Sequence, residues 1–304
     1  MRVLLTGGTG FIGPYVVRAL LERGHEVALL VREDYAMGKQ MPASLAPLRA
    51  QLQLVYADLR NFVLTARALR EAQPEAVLHL AAVGATAPFL PIETALRHNL
   101  HGSIHLMRAC FAQGGSVRKL IMARTPGELS GMNVYAASKA AAWCFAQTFA
   151  NAYGWPIQGA MIFQAYGAGQ PEGALIPAAL AAAQRGEDFP MTSGAQEKDW
   201  IYVADVAAGL VRGVEMELDA GISFDLGTGQ PTPVGHIVAR IYALVARGGH
   251  PRPGLLPDRP GEAAAQIANA ARTAALLGWQ PTFSLEEGLR QMISEKGQKP
   301  GFYT

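Results

Sequence analysis

The sequence predicts an α/β protein built on a doubly wound parallel sheet, with a smaller α/β lobe from its C-terminal part. Three observations carry that prediction. Short aliphatic or β-branched runs recur at 3–5, 27–31, 52–56, 76–80, 119–122 and 157–163. Helical patterns lie between them, near 13–23, 62–72, 92–113 and 134–153. A turn rich in glycine, Thr6-Gly7-Gly8-Thr9-Gly10-Phe11-Ile12-Gly13, joins the first run to the first helix. Strand, helix, strand at this spacing specifies βαβ units, whose crossovers are right-handed and whose sheet is covered on both faces.

After residue 165 the pattern loosens, and Gly and Pro become frequent at 166–173 and 248–261. One more sheet-like run, 222–226, is expected to return to the main sheet. The rest reads as a smaller lobe with helices near 175–185, 236–247, 270–277 and 285–294. The expected division places 1–165 and about 200–228 in the main domain, and about 166–199 and 229–304 in the lobe.

Half of the 304 residues are hydrophobic and 16% are charged, enough to build a large core. The net charge is +2 with mixed signs, so neither nucleic acid nor an anionic membrane is expected as a partner. Cys110 and Cys144 form no CxxC pair, which excludes a disulfide framework and favours a reducing, cytoplasmic setting. The longest apolar stretch, 174–183, is about half of the ~20 residues that span a bilayer. The opening residues are too glycine-rich for a signal peptide.

The glycine turn is the strongest chemical signal, because it follows a strand and opens a helix. Gly7 permits a tight turn, Gly10 lets the backbone approach a pyrophosphate, and Gly13 lets the helix pack on the strand. A dinucleotide phosphate there meets the positive end of the helix, and Pro14 falls where a missing N–H is harmless. This is the Rossmann arrangement for nicotinamide dinucleotides. The second strand ends at Arg32, which suits a ribose 2′-phosphate and therefore favours NADP(H); NAD(H) stays possible because Glu33 and Asp34 follow at once. Asp58, after the third strand, is placed to contact the adenine amino group, with helix capping as the alternative.

Tyr135-Ala136-Ala137-Ser138-Lys139 lies in a helical stretch, so Tyr135 and Lys139 share a face. A phenol is a poor base near neutrality, and an adjacent ammonium favours its phenolate. Tyr135 then takes a proton from a substrate hydroxyl as hydride leaves its carbon, or donates one in reverse. Thr125, at the end of the fifth strand, is the third candidate catalytic residue, with Ser130 as its competitor. His98, His101 and His105 have near-helical spacing, but no carboxylate or cysteine completes a metal set, so no metal is expected.

Together these residues resemble the extended short-chain dehydrogenase/reductase family, in its nucleotide-sugar epimerase/dehydratase branch. The resemblance rests on TGGTGFIG at 6–13, Asp58, His79-Leu80-Ala81-Ala82, Asn99, YAASK at 135–139, Tyr166-Gly167, Asp199, Tyr202-Val203-Ala204-Asp205, Asp225-Leu226-Gly227, Arg259-Pro260-Gly261-Glu262 and Leu277-Gly278-Trp279. It implies cofactor contacts from Gly7, Thr9, Gly10, Phe11, Ile12 and Gly13. It implies further ones from Arg32, Asp58, Leu59, Leu80, Ala81, Ala82 and Asn99, besides Tyr135 and Lys139. It implies substrate contacts from Gln164 and Arg259, and a homodimer built on the helices near 92–113 and 134–153.

The departures matter as well. Only nine residues separate Thr125 from Tyr135. Thr125 is followed by Pro126-Gly127 rather than the Asp-Glu pair of the dehydratases, which disfavours water elimination. The expected function is NAD(P)-dependent hydride transfer at a sugar carbinol or ketone, by an epimerase or a 4-ketoreductase. The alternatives are an NADP(H)-dependent reductase or dehydrogenase of a non-sugar alcohol or ketone, and a catalytically inactive Rossmann binding protein.

Overall fold

The computed structural model describes residues 1–85, 90–112, 114–258, 261 and 263–297. Seven strands form one parallel sheet: β1 (Arg2–Thr6), β2 (Glu26–Val31), β3 (Leu52–Tyr56), β4 (Ala76–His79), β5 (Lys119–Arg124), β6 (Ile157–Ile162) and a late strand, Ser223–Leu226. A short strand β7 (Gln164–Tyr166) follows β6, then β8 (Phe189–Pro190) and β9 (Glu197–Tyr202). The late strand is β10, and β11 (Pro231–Pro233), β12 (Pro251–Arg252) and β13 (Ala265–Gln266) come after it. The spatial order of the main sheet is β10-β6-β5-β4-β1-β2-β3. The order reverses between β1 and β4, and ligands of open α/β sheets bind in the crevice outside such a switch point.

The apolar runs form strands because both faces of the sheet are buried. In β1, Val3, Leu4 and Leu5 are all fully buried. Val3 and Leu5 join the core beneath α1 (Gly13–Glu22), with Val16, Val17 and Leu20. Leu4 joins the opposite core, with Leu106, Met107, Ala142 and Trp143. That second face is covered by α2 (Phe62–Ala72), by the helical stretch α3 (Ile92–Ala95) and α4 (Gly102–Phe111), and by α5 (Val134–Tyr153).

Two elements differ from the expectation. The helix expected at 92–113 is interrupted by a π-helical segment, Leu96–His101, between α3 and α4; Gln113 lies outside the described residues. After α6 (Leu175–Arg185), a helix α7 (Val203–Glu215) packs on the first face, where the sequence reading placed none. Its Gly209 and Gly213 weaken a helical pattern. Both are needed for packing: a Cβ on Gly209 would lie 2.5 Å from Leu226 Cδ2, and one on Gly213 would lie 2.8 Å from Phe224 Cζ. The run near 222–226 does return to the main sheet, as β10, parallel to β6.

A second sheet is built on β9, with β7 and β13 parallel to it and β11 antiparallel. Its core contains Tyr166, Ile176, Leu180, Trp200, Tyr202, Ile237 and Leu289. It is packed by α6, α8 (Val234–Val245) and α10 (Leu285–Gly297), while α9 (Ala270–Leu277) contacts β10. Cys110 is buried, Cys144 is exposed, and neither is bridged. Among the described residues no helix is long and apolar enough to cross a membrane.

Candidate active site

The connections after β3, β2, β1, β4 and β5 carry Asp58, Arg32, the glycine turn, Leu80 to Ala82, and Thr125. Because the strands are parallel and adjacent in that order, these residues line one edge of the sheet in that same order. The edge crosses the switch point.

At the glycine turn, Gly7 adopts φ +73 and has no room for a side chain: its Cβ would lie 2.6 Å from Ala81 N. The Gly10 N–H donates to the Gly7 carbonyl at 3.0 Å. Gly10 itself is exposed, and a Cβ there would approach only Gly7 O, at 3.3 Å, so its outer side is open. A Cβ on Gly13 would lie 2.3 Å from Gly8 O, which explains how α1 enters so close to the turn. Thr9, Phe11 and Ile12 are half-buried in this turn; Phe11 and Ile12 also touch the core of the second sheet.

At the far end of the edge, Arg32 is exposed and pairs with Asp34 at 3.2 Å, which also accepts from Lys39 at 3.0 Å. Asp58 is gripped by Arg60, through Nε at 2.9 Å and the backbone N–H at 2.9 Å. The Arg60 side chain holds the Asp58 carboxyl below the usual carboxylate range. Asp58 does not cap α2; Asn61 does, accepting from Leu64 N at 3.2 Å. Leu59 is half-buried beside it. A surface cleft of about 470 Å³ lies at this end, lined by Asp58, Arg60, Arg97, His101 and His105 among others. It contains none of the candidate catalytic residues. Among the described residues, no group of His, Cys, Asp or Glu is arranged to hold a metal.

Leu80, Ala81 and Ala82 form a shelf after β4. Asn99 fixes that shelf rather than reaching past it. Its carbonyl accepts from Val83 N at 2.9 Å, and its amide donates to Val83 O at 3.0 Å and to Ser138 Oγ at 2.9 Å. Both amide protons are thereby used inside the protein. The π-helical segment turns this residue inward and links the shelf to α5. Behind it, His79 Nδ1 lies 2.7 Å from Thr6 Oγ1 and Nε2 lies 2.8 Å from Ser103 Oγ. Burial, with a contribution from Lys139, pushes His79 down to about 3, so it is a neutral structural residue and not a base.

Tyr135 and Lys139 sit one turn apart at the start of α5, which is capped by Asn133. Lys139 is 4% exposed. Burial pushes the Tyr135 hydroxyl up to about 12, and the Glu128 carboxylate adds to that. Burial pushes the Lys139 ammonium down to about 8; Glu128 opposes the fall and Arg124 deepens it. Thr125 follows β5 and caps a single 3₁₀ turn, Pro126–Leu129. Its competitor Ser130 is exposed, and its hydroxyl donates to Gly127 O at 3.4 Å.

On the lobe side, Gln164 is exposed at the start of β7, in register with Trp200. Arg259 lies outside the described residues. Lys198 donates to Gln266 Oε1 at 3.1 Å. Asp199 is fully buried and accepts from Thr228 N, Thr228 Oγ1, Gly229 N and Ala268 N.

Four residues of this region escape sequence reasoning: Arg60, Arg124, Glu128 and Ser138. Glu128 had a legible signal, since Thr125-Pro126-Gly127-Glu128 has the spacing of a capping box. Arg60 and Ser138 are partners of the predicted residues Asp58 and Asn99, Arg124 is the partner of Glu128, and none of the three leaves a periodic trace.

Comparison with known proteins places the chain. Over 96% of its length it is 28% identical to 97% of the UDP-glucose 4-epimerase of Mycolicibacterium smegmatis. Over 94% of its length it is 28% identical to 90% of a dTDP-glucose 4,6-dehydratase of Xanthomonas campestris pv. campestris. Its structure is similar to that of the UDP-glucose 4-epimerase of Thermotoga maritima solved with UDP-glucose. The TM-score is 0.84 and the identity 26%, covering 98% of this chain and 99% of the other. The UDP-glucose 4-epimerase of Thermus thermophilus in complex with NAD matches with a TM-score of 0.79 at 27% identity, covering 97% and 98%. The family model described as "NAD dependent epimerase/dehydratase family" matches residues 3–227. With that model covering most of its length, the chain belongs to the NAD-dependent epimerase/dehydratase family.

Proposed function

We propose that this protein transfers hydride at a ring carbon of a nucleoside-diphosphate sugar, as an epimerase that works through a transient ketone. The observation that carries the reading is the Tyr135–Lys139 pair at the start of α5, beside the sheet edge that carries the glycine turn. The nicotinamide, when bound, supplies the hydride acceptor and donor. Tyr135 moves the hydroxyl proton, Lys139 favours the phenolate that forms as the proton leaves and holds ribose hydroxyls, and Thr125 hydrogen-bonds the substrate oxygen. At neutral pH Tyr135 is protonated, poised to return a proton to a ketone. Relatives named as UDP-glucose 4-epimerases and dTDP-glucose 4,6-dehydratases support the sugar substrate, and Pro126-Gly127 in place of an Asp-Glu pair after Thr125 disfavours dehydration. Gln164 and Arg259 are assigned to the substrate, with the second sheet walling the pocket.

For the cofactor, Gly7, Thr9, Gly10, Phe11, Ile12 and Gly13 are assigned to the pyrophosphate and Asp58 with Leu59 to the adenine. Leu80, Ala81 and Ala82 are assigned to the nicotinamide half, with Asn99 acting through them. Arg32 favours NADP(H) over NAD(H): its pair with Asp34 is exposed, and such pairs contribute only ~0–1 kcal/mol, so a 2′-phosphate displaces it readily. Fluorescence titration of the purified protein is expected to show NADPH binding at least ~10-fold tighter than NADH, the scale of one charge-assisted contact. Equal affinities would return the cofactor to NAD(H). Cofactor that copurifies and supports UDP-sugar epimerisation without added nicotinamide is expected. Strict dependence on added NADPH would replace the epimerase with a ketoreductase.

A homodimer is proposed on the two helices near 92–111 and 134–153, where Ile92, Leu96 and Phe145 are exposed. Sedimentation is expected to give twice the chain mass, and a species of single-chain mass would remove this assignment.

A further inference from the structure

Behind the short segment joining Thr125 to Tyr135 lies a buried ion pair that the reaction scheme above does not use. Arg124 Nε donates to Glu128 Oε2 at 2.9 Å, with the side chains 11% and 1% exposed. The other carboxylate oxygen accepts the Thr125 backbone N–H at 2.9 Å, completing the capping box of the 3₁₀ turn. The Arg124 guanidinium stacks 4.5 Å from the centre of the Trp143 ring. Trp143 lies four residues after Lys139 and eight after Tyr135, on the same side of α5. Gly159 on β6 makes the space, since a Cβ there would lie 2.7 Å from Arg124 Cδ and 3.0 Å from Trp143. Gly127 presses the turn on the start of α5, its Cβ position being 3.2 Å from Ala136 Cβ. Four elements thus converge on this pair.

Buried ion pairs are weak sources of stability, because desolvation offsets their attraction. Such a pair kept beside a reactive centre calls for another role. We propose that Glu128 and Arg124 are positioning residues for the reaction: together they seat Thr125 against α5, and the Glu128 carboxylate serves as the counter-charge to Lys139 beside Tyr135. This rests on the reading of Tyr135 and Lys139 given above. The titratable and charged groups around Lys139 are Tyr135 on its own helix, Arg124 at the end of β5, Glu128 on the turn, and His79 on β4, which is neutral. Burial and Arg124 disfavour the ammonium, and Glu128 is the group that favours it.

The test uses the full-length protein and three variants, E128Q, R124M and the double variant. The glutamine of E128Q still offers an oxygen to the Thr125 N–H, and the methionine of R124M still packs on Trp143. Lys139 is followed by ¹³C NMR of the ε-carbon in lysine-labelled protein, with K139M for assignment, and the alkaline limb of kcat/KM is measured in parallel. In E128Q, Lys139 is expected to lose its proton roughly one pH unit lower than in wild type, the effect of removing one nearby opposite charge. The alkaline limb moves with it, and turnover above the new limb falls about tenfold. R124M is expected to shift both in the opposite direction, and the double variant to return close to wild type. An E128Q protein that titrates as wild type, or a double variant that keeps the E128Q displacement, would overturn the proposal. If E128Q does not fold, the opposite displacement in R124M decides. Full activity in Y135F would sink the hydride-transfer reading instead, and the NMR titration would still report on the charge coupling alone.

Discussion

Replacing Tyr135 with Phe is expected to lower turnover at least about hundredfold, the scale of one acid–base group and roughly 2.7 kcal/mol of barrier. The hydroxyl is the only group removed, and the ring still fills its place at the start of α5. Cofactor affinity should therefore change little, because Lys139 and the glycine turn remain. The pH dependence has a definite sign. Burial, with Glu128, raises Tyr135 to about 12, so the ketone-reducing half reaction finds its acid in place across the neutral range. Lys139 is lowered to about 8, so its ammonium is present below that pH and is lost above it. The reductive half reaction is expected to fall as pH rises through about 8. Steady-state rates of wild type and Y135F across roughly pH 6 to 9, with a cofactor titration at each end, check both statements. Unaltered turnover in Y135F would remove Tyr135 from the chemistry.

Replacing Asp199 with Ala is expected to give the largest loss of stability of any single change considered. The carboxylate is fully buried and receives four hydrogen bonds, at 2.7, 2.7, 2.7 and 3.1 Å. Three come from the segment after β10 and one from Ala268, so Asp199 on β9 ties both segments together. Alanine leaves those donors without a partner, at ~1–3 kcal/mol for each that water does not reach. Allowing for partial rehydration, the loss is on the order of 4 kcal/mol, or roughly 8 °C in Tm for a chain of this size. Asn would help little, since its amide half would face donors. Calorimetry of D199A and D199N checks this, and a shift within about 2 °C of wild type would show that the knot is dispensable. Asp199 therefore belongs to the framework of the fold, although a shared family pattern first drew attention to it.

The fold was legible where the physics is periodic. Strands buried on both faces read as unbroken apolar runs, so β1 to β6 lie within a residue or two of their sequence positions. Helix α7 was hidden because Gly209 and Gly213, chosen for contact with Leu226 and Phe224, obscure the pattern that their neighbours make. At the site, the glycine turn announced itself because three backbone constraints coincide within seven residues. Asn99 was legible as a polar residue on the right helix, but its bonds to Val83 and Ser138 depend on a π-helical turn that periodicity does not encode. Asp58 was legible as a polar residue directly after β3, while Arg60, its ion-pair partner two residues on, was not considered. The Arg124–Glu128 pair depends on Gly159 and Trp143, residues 31 to 35 and 15 to 19 positions away along the chain, and only the capping-box spacing hinted at it.

A crystal structure of the protein with bound nicotinamide dinucleotide and a UDP-sugar tests the central claim most directly. The account predicts pyrophosphate against Gly7 to Gly13, and the Tyr135 hydroxyl within roughly 3 Å of both a ribose hydroxyl and the reacting sugar oxygen. A dinucleotide bound elsewhere, or a Tyr135 hydroxyl turned away from the nicotinamide, would contradict it.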